Sequence, residues 1–498
     1  MGMAPTEQLE IETKYDVDTS ATLPALHELP GVASVAQPVE LELEAVYYDT
    51  AALDLAAHKV TLRRRTGGED DGWHVKFPGS SGGRLEVRYP LGRSVRTVPI
   101  AVVRSVRVHV RDQQLAPVVT LQTRRIVHRL LDADGGVLAE LADDHVTATV
   151  EGGEPESWRE WEVELVDGDG LLLEDAGELL KAAGARPASG PSKLARALGD
   201  RVPAYDEWTL PKKPRTSDLF RAYAGAQVRA IRERDPEVRR DVPDSIHKFR
   251  VATRRLRSAL ATYRPVIDRA VGDPLRDELK WLAGELGAAR DAEVQREHFA
   301  AEVADQPVEL VMGRVAGRID DHLRRVYKDG RAGALAALEN PRYFRLLDAL
   351  DELVAKPPVT DDDRKASKQI GELLEHDYKR MRKAVRRSQQ ADTVAEQDHE
   401  LHEVRKSSKR LRYAAESAVP VLSDEAADLA DRAEQVQEIL GEHQDSVVSR
   451  DLLHHLALEV YAEGGNPFTY GRLHATEEAR GNTSRDAFYQ LWPTLKFH

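Results

Sequence analysis

Carboxylates recur at every second position in two segments of the sequence, Glu10 and Glu12 near the N-terminus and Glu160, Glu162 and Glu164 farther along. In a β-strand, side chains at every second position point to the same face of the sheet. A solvated face usually carries mixed Thr, Ser and Lys rather than repeated pairs of like charge. A closed sheet with a charged interior explains the pattern better. Glutamates on that interior would hold a divalent metal ion.

Cations follow the same spacing in the segments between these two. Arg63 and Arg65 share one face of a predicted strand, and His74 and Lys76 share one face of the next. Glycine-containing turn signals separate the two. Arginine and lysine on an inner face would bind phosphate oxygens, and they would also neutralise the glutamates, which an apolar core could not do. We therefore predict strands over most of the chain up to about residue 165.

A second group of cations has helical spacing. At about 100° per residue, His247, Arg250, Arg254 and Arg257 fall in one narrow arc of a helix over residues 246–260. The opposite side of this helix is apolar, so one face can pack into a core while the other presents aligned donors. A charge run on a helix is usually only a solvated face, but no acid interrupts this one. We interpret the stripe as an anion-binding surface.

The basic stripe is duplicated. A second copy repeats its order at a constant offset of 155 residues (402 − 247) and contains His402, Arg405, Lys409, Arg410 and Arg412. Leu286-Gly287 and Asp291 recur as Leu440-Gly441 and Asp445, at an offset of 154 residues (440 − 286). Two patterns in the same order and at nearly the same spacing indicate a duplicated unit. Two such helices facing each other would line a basic groove for an extended polyanion.

The composition limits the classes of protein that fit. A chain of 498 residues is expected to hold two or three domains, and its formal net charge of −14 argues against general nucleic-acid binding. The sequence has no cysteine, which excludes disulfides and thiolate metal sites. Neither a signal sequence nor an apolar segment of membrane-spanning length is evident. We expect a cytoplasmic protein without a membrane partner.

Glu10-Ile11-Glu12-Thr13-Lys14 matches the ExExK signature of the CYTH family, the triphosphate tunnel enzymes. Further elements of the resemblance follow in the family's order: Tyr48-Asp49-Thr50, Arg63-x-Arg65, Lys76, Arg84-x-Glu86, Arg124, Asp143 and Glu160-x-Glu162-x-Glu164. The resemblance covers residues 10–193 and implies an eight-stranded antiparallel β-tunnel with flanking helices. It also implies that the tunnel binds linear triphosphates and hydrolyses a phosphoanhydride bond with Mg²⁺ or Mn²⁺.

The resemblance implies roles for individual residues. Those expected to bind phosphate are Lys14, Arg63, Arg65, Lys76, Arg124 and Lys193. Those expected to be catalytic, by binding metal or orienting the attacking water, are Glu10, Glu12, Glu162 and Glu164, with Asp143 as a supporting metal ligand. The family often has a lysine where this sequence has Gln122, so one cation is missing. Whether Arg124 or Arg125 faces the interior depends on register, because a one-residue slip reverses the faces.

The duplicated helical pattern resembles the CHAD domain, a conserved histidine α-helical domain often found after CYTH in one chain. This resemblance implies two pseudo-symmetric four-helix bundles whose basic surface binds inorganic polyphosphate. The residues expected to bind it are His247, Lys248, Arg250, Arg254, Arg255, Arg257, Arg290, His402, Arg405, Lys406, Lys409, Arg410 and Arg412. A histidine among arginines lacks partner ligands for a metal, so we expect the two histidines to bond phosphate or a neighbouring helix.

A proline-rich segment without periodicity separates the two parts of the chain. We predict a CYTH tunnel domain over residues 1–203, a linker over 204–216 and a CHAD helical domain over 217–498, with halves at about 217–355 and 364–498. The expected fold class is α+β and multidomain, with a β-tunnel followed by an all-α domain.

These features predict a metal-dependent inorganic triphosphatase, acting on triphosphate or short polyphosphate and tethered to a polyphosphate-binding module. The alternative is a non-catalytic, granule-associated polyphosphate-binding protein with a silent tunnel, although the retained glutamates favour catalysis. Adenylate cyclase or thiamine triphosphatase activity ranks lower, because no aromatic clamp for an organic ring is identifiable. We expect no specific nucleic-acid partner, since Tyr413 is the one base-stacking aromatic of the stripes.

Overall fold

The computed structural model describes residues 5–79, 83–92, 97–203 and 208–495. The chain forms two compact units, Met1–Glu207 and Trp208–His498. The division falls inside the linker predicted over 204–216, of which 204–207 lie outside the described residues. The N-terminal unit combines an antiparallel sheet with helices and the C-terminal unit is helical, so the predicted α+β multidomain class is confirmed.

The sheet of the N-terminal unit is antiparallel and curls around an interior. Its described strands are β1 (Thr6–Glu10), β2 (Glu12–Val17), β3 (Ser34–Val35), β4 (Val39–Asp49), β5 (Thr61–Thr66), β6 (Gly72–Pro78), β7 (Arg84–Tyr89), β8 (Ala116–Leu131), β9 (Val137–Val150), β10 (Glu156–Leu165) and β11 (Arg186–Pro187). They lie in the order β1-β7-β6-β5-β4-β8-β9-β10-β2-β11, with β3 beside β8.

A short break in the first strand brings the two ends of this order together. Only Ile11 separates β1 from β2, yet β1 pairs with β7 and β2 pairs with β10. One continuous stretch of chain therefore lies against both ends of the sheet. The described strands number eleven because this stretch is split and because β3 and β11 have two residues each. The count of eight tunnel strands remains a prediction.

Four helices accompany the sheet in the described part of the N-terminal unit: α1 (Asp54–Ala57), α2 (Ile100–Val110), α3 (Gly170–Ala182) and α4 (Lys193–Leu198). Asp169 caps α3 by accepting hydrogen bonds from the backbone N–H groups of Leu171 and Leu172. Leu172 and Leu180 of α3 are buried in one core with Trp161 of β10. Because the inner faces of the strands are charged, the apolar cores lie between the outer face of the sheet and the helices.

The prediction of strands up to about residue 165 is wrong for α2. Its valine-rich sequence favours a strand on local preference alone. However, Val102, Val106 and Val110 recur every four residues and are buried in one core with Trp73 and Val87 of the sheet. Packing of this helical stripe against the sheet overrides the local preference.

The described helical unit contains α5 (Thr216–Arg239), α6 (Ser245–Thr262), α7 (Arg269–Glu285), α8 (Gly287–Ala304), α9 (Val315–Leu338), α10 (Pro341–Ala355), α11 (Ala366–Gln389), α12 (Val394–Ala462) and α13 (Phe468–Leu491). Ser423, with φ 46° and ψ −121°, kinks α12, which is thus two helices joined end to end. At the offset that relates the two halves, Ser423 corresponds to Asp268 (423 − 155), so the kink is equivalent to the break between α6 and α7.

The helices pack in bundles. One core joins α8 and α9 to the end of α12 and to α13, around Phe299, Leu323 and Leu456. Another joins α11, α12 and α13, around Met381 and Phe488. The helices α6 and α12, which carry the two basic stripes, contact each other. No helix within the described ranges has the length and apolarity that crossing a membrane requires.

Candidate functional site

The inner face of the curled sheet lines a cavity of about 540 Å³. Alternation along β10 directs Glu162 and Glu164 into this cavity, while Trp161 and Val163 are buried in the outer core. The predicted tunnel residues that line it are Glu10, Glu12, Lys14, Arg63, Arg65, Lys76, Glu162, Glu164 and Lys193. The structure thus brings together most of the predicted set, whereas Arg124 and Asp143 lie outside the cavity.

Lys193 lies between three carboxylates. Its Nζ is 2.8 Å from Asp144 Oδ2, 2.6 Å from Glu160 Oε1 and 2.7 Å from Glu162 Oε1. The three acids are close enough to one another to hold a metal ion, but the ammonium group already lies among them. Burial opposes the charge on Lys193, yet Asp144 and Glu162 hold its pKa above the usual range. A metal ion would have to displace this ammonium group.

Glu162 binds two further cations. Arg125 NH2 lies 2.7 Å from Glu162 Oε2, and Lys14 donates to Oε1. Burial favours the neutral acid, but Lys14, Lys193 and Arg125 keep the pKa of Glu162 well below its usual range. Glu162 therefore stays ionised and fixes three cations on this part of the lining.

Arg125, not Arg124, faces the cavity. Arg125 donates from Nε and NH2 to the two carboxylate oxygens of Asp144, at 2.7 and 2.6 Å. Arg124 lies on the outer face and bonds Glu40, where the two side chains are 45% and 52% exposed. The prediction of Arg124 as a tunnel phosphate ligand is corrected to Arg125, because neighbouring residues of a strand point to opposite faces.

The same reversal applies on β9. Asp143 faces outward and accepts hydrogen bonds from Arg159 Nε and NH2, both at 2.8 Å. Asp144, which is fully buried, faces inward and pairs across strands with Arg125. Asp143 is therefore not placed to support a metal ion in the cavity. Asp144 belongs to the interior acids in its place.

A second buried carboxylate organises the lining on β5, β6 and β7. Glu86 is fully buried and lies 3.4 Å from Arg63 NH2, 3.6 Å from Lys76 Nζ and 3.0 Å from His74 Nδ1. It also accepts a hydrogen bond from Arg88. Although burial opposes ionisation, the hydrogen bond to His74 and the charges of Lys76 and Arg63 lower the pKa of Glu86. An ionised Glu86 thus holds two predicted phosphate ligands in place.

Arg65 and Tyr47 complete this part of the cavity. Arg65 NH1 lies 3.0 Å from Asp70 Oδ2, and burial together with the charges of Arg63 and Arg125 lowers the pKa of Arg65 to about 10. Tyr47 accepts a hydrogen bond of 3.4 Å from Arg63 NH1. Burial and two neighbouring guanidinium groups therefore both oppose the charge on Arg65.

Glu164 has the chemistry of a metal ligand. It makes no ion pair within the described part of the chain, and burial and the charge of Glu10 raise its pKa to about 7. Glu12 lies opposite Glu164 in the β2–β10 pairing. Mutually repelling carboxylates favour a divalent cation between them, and oxygen ligands suit Mg²⁺ and Mn²⁺. Glu164 is therefore open to a divalent metal ion. Glu10 accepts a hydrogen bond from Lys76 and Glu12 lies 2.7 Å from Lys14 Nζ, so a metal ion at either would have to displace a lysine.

Arg125, Asp144 and Glu86 were not assigned from the sequence. The doublets Arg124-Arg125 and Asp143-Asp144 leave the inward-facing member open. The structure settles the choice, because Arg129 and Glu140 also line the cavity and stand an even number of residues from Arg125 and Asp144.

In the helical unit, the two basic stripes meet between α6 and α12. The positive charges of Arg250 and Arg254 of α6, and of Arg405 of α12, each lower the pKa of Lys409, which also lies on α12. Burial and the charges of Arg405 and Arg254 lower the pKa of Lys409 to about 6. A lysine that holds its proton so weakly marks a site of excess positive charge. Arg250, Arg254, Arg405 and Lys409 are named here the central cluster.

Equivalent carboxylates position the two outer arginines of the central cluster. Arg250 NH1 lies 2.9 Å from Asp291 Oδ1. In the other half, the charge of Asp445 favours the protonated form of Arg405. The guanidinium group of Arg405 lies over Gly441, where an added Cβ would be 3.5 Å from Arg405 NH2. The repeated sequence pattern therefore corresponds to a repeated arginine environment.

Three predicted polyphosphate ligands are neutralised by carboxylates instead. Glu416 Oε1 lies 3.1 Å from Arg255 NH2 and 3.0 Å from Arg412 Nε. Asp377 Oδ1 lies 2.7 Å from Arg410 Nε. These ion pairs join neighbouring helices or turns, so the three arginines contribute less free charge to the surface.

The remaining predicted ligands lie at the margins of the stripes. Arg290 pairs with Glu293 at 2.7 Å, Lys248 lies 3.8 Å from Asp244, and Lys406 pairs with Glu403. Two histidines accompany them: the pKa of His247 is lowered by burial and Arg290, and that of His402 by burial and Lys406. Arg257 follows Arg254 on the same face of α6. The histidines are therefore neutral donors or acceptors near neutral pH.

Comparison with solved structures finds likenesses to each unit. PptA from Streptomyces chartreusis is 21% identical with a TM-score of 0.47, covering 56% of this chain and 99% of its own. A CHAD domain from the plant Ricinus communis is 26% identical with a TM-score of 0.45, covering 58% and 95%. A putative adenylate cyclase from Bacillus halodurans is 17% identical with a TM-score of 0.28, covering 38% and 97%.

Family models and curated relatives match far more of the sequence. The CYTH domain model matches residues 8–198 and the CHAD domain model matches residues 222–454. Two uncharacterized proteins of Mycobacterium tuberculosis, from strains CDC 1551 / Oshkosh and ATCC 25618 / H37Rv, are each 39% identical over 493 residues, covering 95% of this chain and 93% of theirs. The chain therefore belongs to the CYTH and CHAD families, with a CYTH domain followed by a CHAD domain.

Proposed function

We propose that the N-terminal unit is a divalent-metal-dependent triphosphatase of inorganic triphosphate or short polyphosphate, and that the helical unit binds inorganic polyphosphate. The observation that carries the proposal is the cavity lined by opposed cations and carboxylates. A linear triphosphate has negative charge along its whole length. The residues that would bind it through charge-assisted hydrogen bonds are Lys14, Arg63, Arg65, Lys76 and Arg125.

The carboxylates would have two separate roles. Glu10, Glu12 and Glu164 would hold the metal ion, which when bound offsets negative charge on the phosphoryl oxygens and lowers the pKa of the attacking water. Glu162 and the acids around Lys193 would instead position cations, because three cations already bind Glu162 and the ammonium group of Lys193 lies among these acids. Lys193 is thus assigned to positioning these acids rather than to direct phosphate contact.

The cations would stabilise the charge that develops during cleavage. Phosphoryl transfer depends mainly on positioning and on neutralising the phosphoryl oxygens. Arg63 and Lys76 are fixed by Glu86, and Arg125 is fixed by Asp144 and Glu162. Donors that are already oriented do not have to reorganise when the substrate reacts.

The central cluster of the helical unit would bind a polyphosphate chain. Every phosphate of such a chain presents similar oxygens, so arginines can bind it without a fixed register. Because both units belong to one chain, this binding would raise the local concentration of substrate for the tunnel. The proposed location is the cytoplasm, where association with polyphosphate granules would follow from the same contacts.

Phosphate release from tripolyphosphate, ATP and long-chain polyphosphate, with Mg²⁺ or Mn²⁺ and with EDTA, tests the proposal. The wild-type chain should release phosphate from tripolyphosphate only with metal. Glu10→Gln combined with Glu12→Gln should lower turnover by about 100-fold or more, whereas Glu40→Gln on the outer face should leave it unchanged. If all three substrates stay intact while long polyphosphate still binds, the tunnel is silent and the enzyme proposal fails.

A further inference from the structure

Arg257 of α6 and Arg412 of α12 occupy equivalent positions of the duplicated pattern, but Arg412 is neutralised. Its Nε lies 3.0 Å from Glu416 Oε1 and its NH1 lies 2.6 Å from Glu434 Oε1. The side chains of Arg412 and Glu416 are only 18% and 23% exposed, so little water screens the pair. The second stripe therefore ends at a guanidinium group already neutralised by two carboxylates.

The first half lacks both of these acids. At the offsets that relate the two halves, Ala261 stands in the place of Glu416 and Lys280 in the place of Glu434. Arg257 accordingly makes no ion pair among the residues that the structure describes. Burial and the charges of Arg276 and Arg254 lower the pKa of Arg257, so the charged groups around it are cations.

Arg276 of α7 is the cation whose charge lowers the pKa of Arg257 most. Arg276 shares one carboxylate with two other arginines, because Asp273 lies 2.5 Å from Arg264 NH2, 3.7 Å from Arg269 Nε and 3.3 Å from Arg276 NH1. One carboxylate cannot neutralise three guanidinium groups, so Arg276 keeps part of its charge.

Arg410 of α12 lies in the same region, where Asp377 neutralises it. Burial and the charges of Arg380 and Arg276 lower the pKa of Arg410, so further cations lie near it. The cations of this region therefore come from α6, α7 and α11, beside the paired Arg410. The region around Arg412 has Glu416 and Glu434 instead.

We propose that a linear polyphosphate leaves the central cluster on one side only, over Arg257 and Arg276, and does not follow the second stripe past Arg412. The proposal rests on the proposed binding of polyphosphate by the helical unit. Arg257 and Arg276 are named here the side track. A duplicated fold with two equivalent exits would bind the chain equally on both sides. Two differences between the halves, Ala261 in the place of Glu416 and Lys280 in the place of Glu434, make this surface one-sided.

Binding of long-chain polyphosphate to the full-length protein in EDTA, measured over a range of salt concentrations, tests the side track. Arg257→Gln should weaken binding about tenfold and lower the slope of log affinity against log salt by about 0.7. Arg412→Gln removes the same charge at the equivalent position. It should weaken binding about five times less than Arg257→Gln, because this arginine is already neutralised. Equal losses in the two variants would overturn the proposal.

Charge reversals at two exposed lysines test the same point without touching a buried ion pair. Lys280 and Lys328 are both exposed, so neither substitution should impair folding. Lys280→Glu should weaken long-chain binding several times more than Lys328→Glu, which makes the same change of net charge on α9. Glu434→Lys should strengthen binding by opening the second side.

The outcomes separate the side track from the function on which it depends. If the wild-type chain binds no polyphosphate, the proposed function of the helical unit fails. If the wild-type chain binds but Lys280→Glu and Lys328→Glu weaken binding equally, the side track fails while the proposed function stands.

Discussion

The ammonium group of Lys193 lies 2.7 Å from the carboxylate of Glu162, so the start of α4 is tied to the inner face of β10. The same nitrogen contacts Asp144 and Glu160. A cation surrounded by three acids in this way resembles a bound metal ion in its electrostatic role. It allows the interior to keep a high density of carboxylates while the arginines of the cavity remain charged.

Lys193→Met should destabilise the N-terminal unit, because it leaves three buried carboxylates without their common cation. We expect the free energy of unfolding to fall by about 3–5 kcal/mol, measured by chemical denaturation in EDTA. Lys181→Met serves as the control, since Lys181 and its partner Glu178 are 46% and 78% exposed. That change should leave the free energy of unfolding essentially unchanged. Similar losses in both variants would contradict the role given to Lys193.

Arg125→Gln should raise the KM for tripolyphosphate by about tenfold or more, because it removes a charged hydrogen-bond donor from the cavity. Arg124→Gln changes the adjacent residue, which lies on the outer face with Glu40, and should leave KM within about twofold. Steady-state phosphate release measures both, with thermal unfolding as a check that Arg125→Gln folds. A larger effect of Arg124→Gln than of Arg125→Gln would show that the register assigned to β8 is wrong.

Lys409 should make stability and polyphosphate affinity respond to pH in opposite directions. Its pKa is lowered to about 6 in the folded protein, against about 10.4 in an unfolded chain. Between these values the unfolded chain binds the additional proton, so the free energy of unfolding should rise with pH. Polyphosphate favours the ammonium form, so its affinity should fall as pH rises above about 6. Calorimetry in buffers of different ionisation enthalpy should show proton uptake on binding.

Lys409→Arg is the matched control for this pH dependence, because arginine stays charged throughout the range. The variant should bind polyphosphate with little change above about pH 7. His247 and His402 remain in it, but their lowered pKa values confine their titration to more acidic solution. If the pH dependence of Lys409→Arg equals that of the wild type, Lys409 is not its source.

Gly330 and Gly333 of α9 differ sharply in their surroundings. A Cβ at position 330 would lie 2.6 Å from the backbone nitrogen of Ala289, whereas nothing lies within 4 Å of one at position 333. Gly330→Ala should therefore lower the free energy of unfolding by about 1–3 kcal/mol. Gly333→Ala should raise it by about 0.5–1 kcal/mol. Chemical denaturation measures both, and equal effects would contradict the close approach of α8 and α9.

Periodicity predicted the fold class and which charged residues share a strand face. The alternation of Glu160, Glu162 and Glu164 indicated that they share one face of the strand. In the structure Glu162 and Glu164 line the cavity, and Glu160 pairs with Lys193, which also lines it. Periodicity could not choose within Arg124-Arg125, because both members are charged and only strand register separates them. It also missed α2, whose valines suit either structure until the sheet provides a surface for them.

The basic stripes show a different limit of sequence reasoning. Helical spacing correctly indicated that Arg250, Arg254 and Arg257 share a face. It could not show that Arg410 would meet Asp377 of another helix. Spacing along one helix predicts which way a side chain points. Whether its charge is neutralised depends on the residues of the neighbouring helices.

The break at Ile11 has a consequence for the order in which the chain can fold. The first strand leaves the ribosome first, but its partners β7 and β10 extend to Tyr89 and Leu165. Its backbone groups therefore lack their hydrogen-bond partners until most of the N-terminal unit has been translated. Pairing between strands so far apart in the sequence is slow. The cavity can be completed once α4 emerges, before any helix of the C-terminal unit exists. Translation thus completes the cavity of the N-terminal unit first, and the two basic stripes of α6 and α12 come together afterwards.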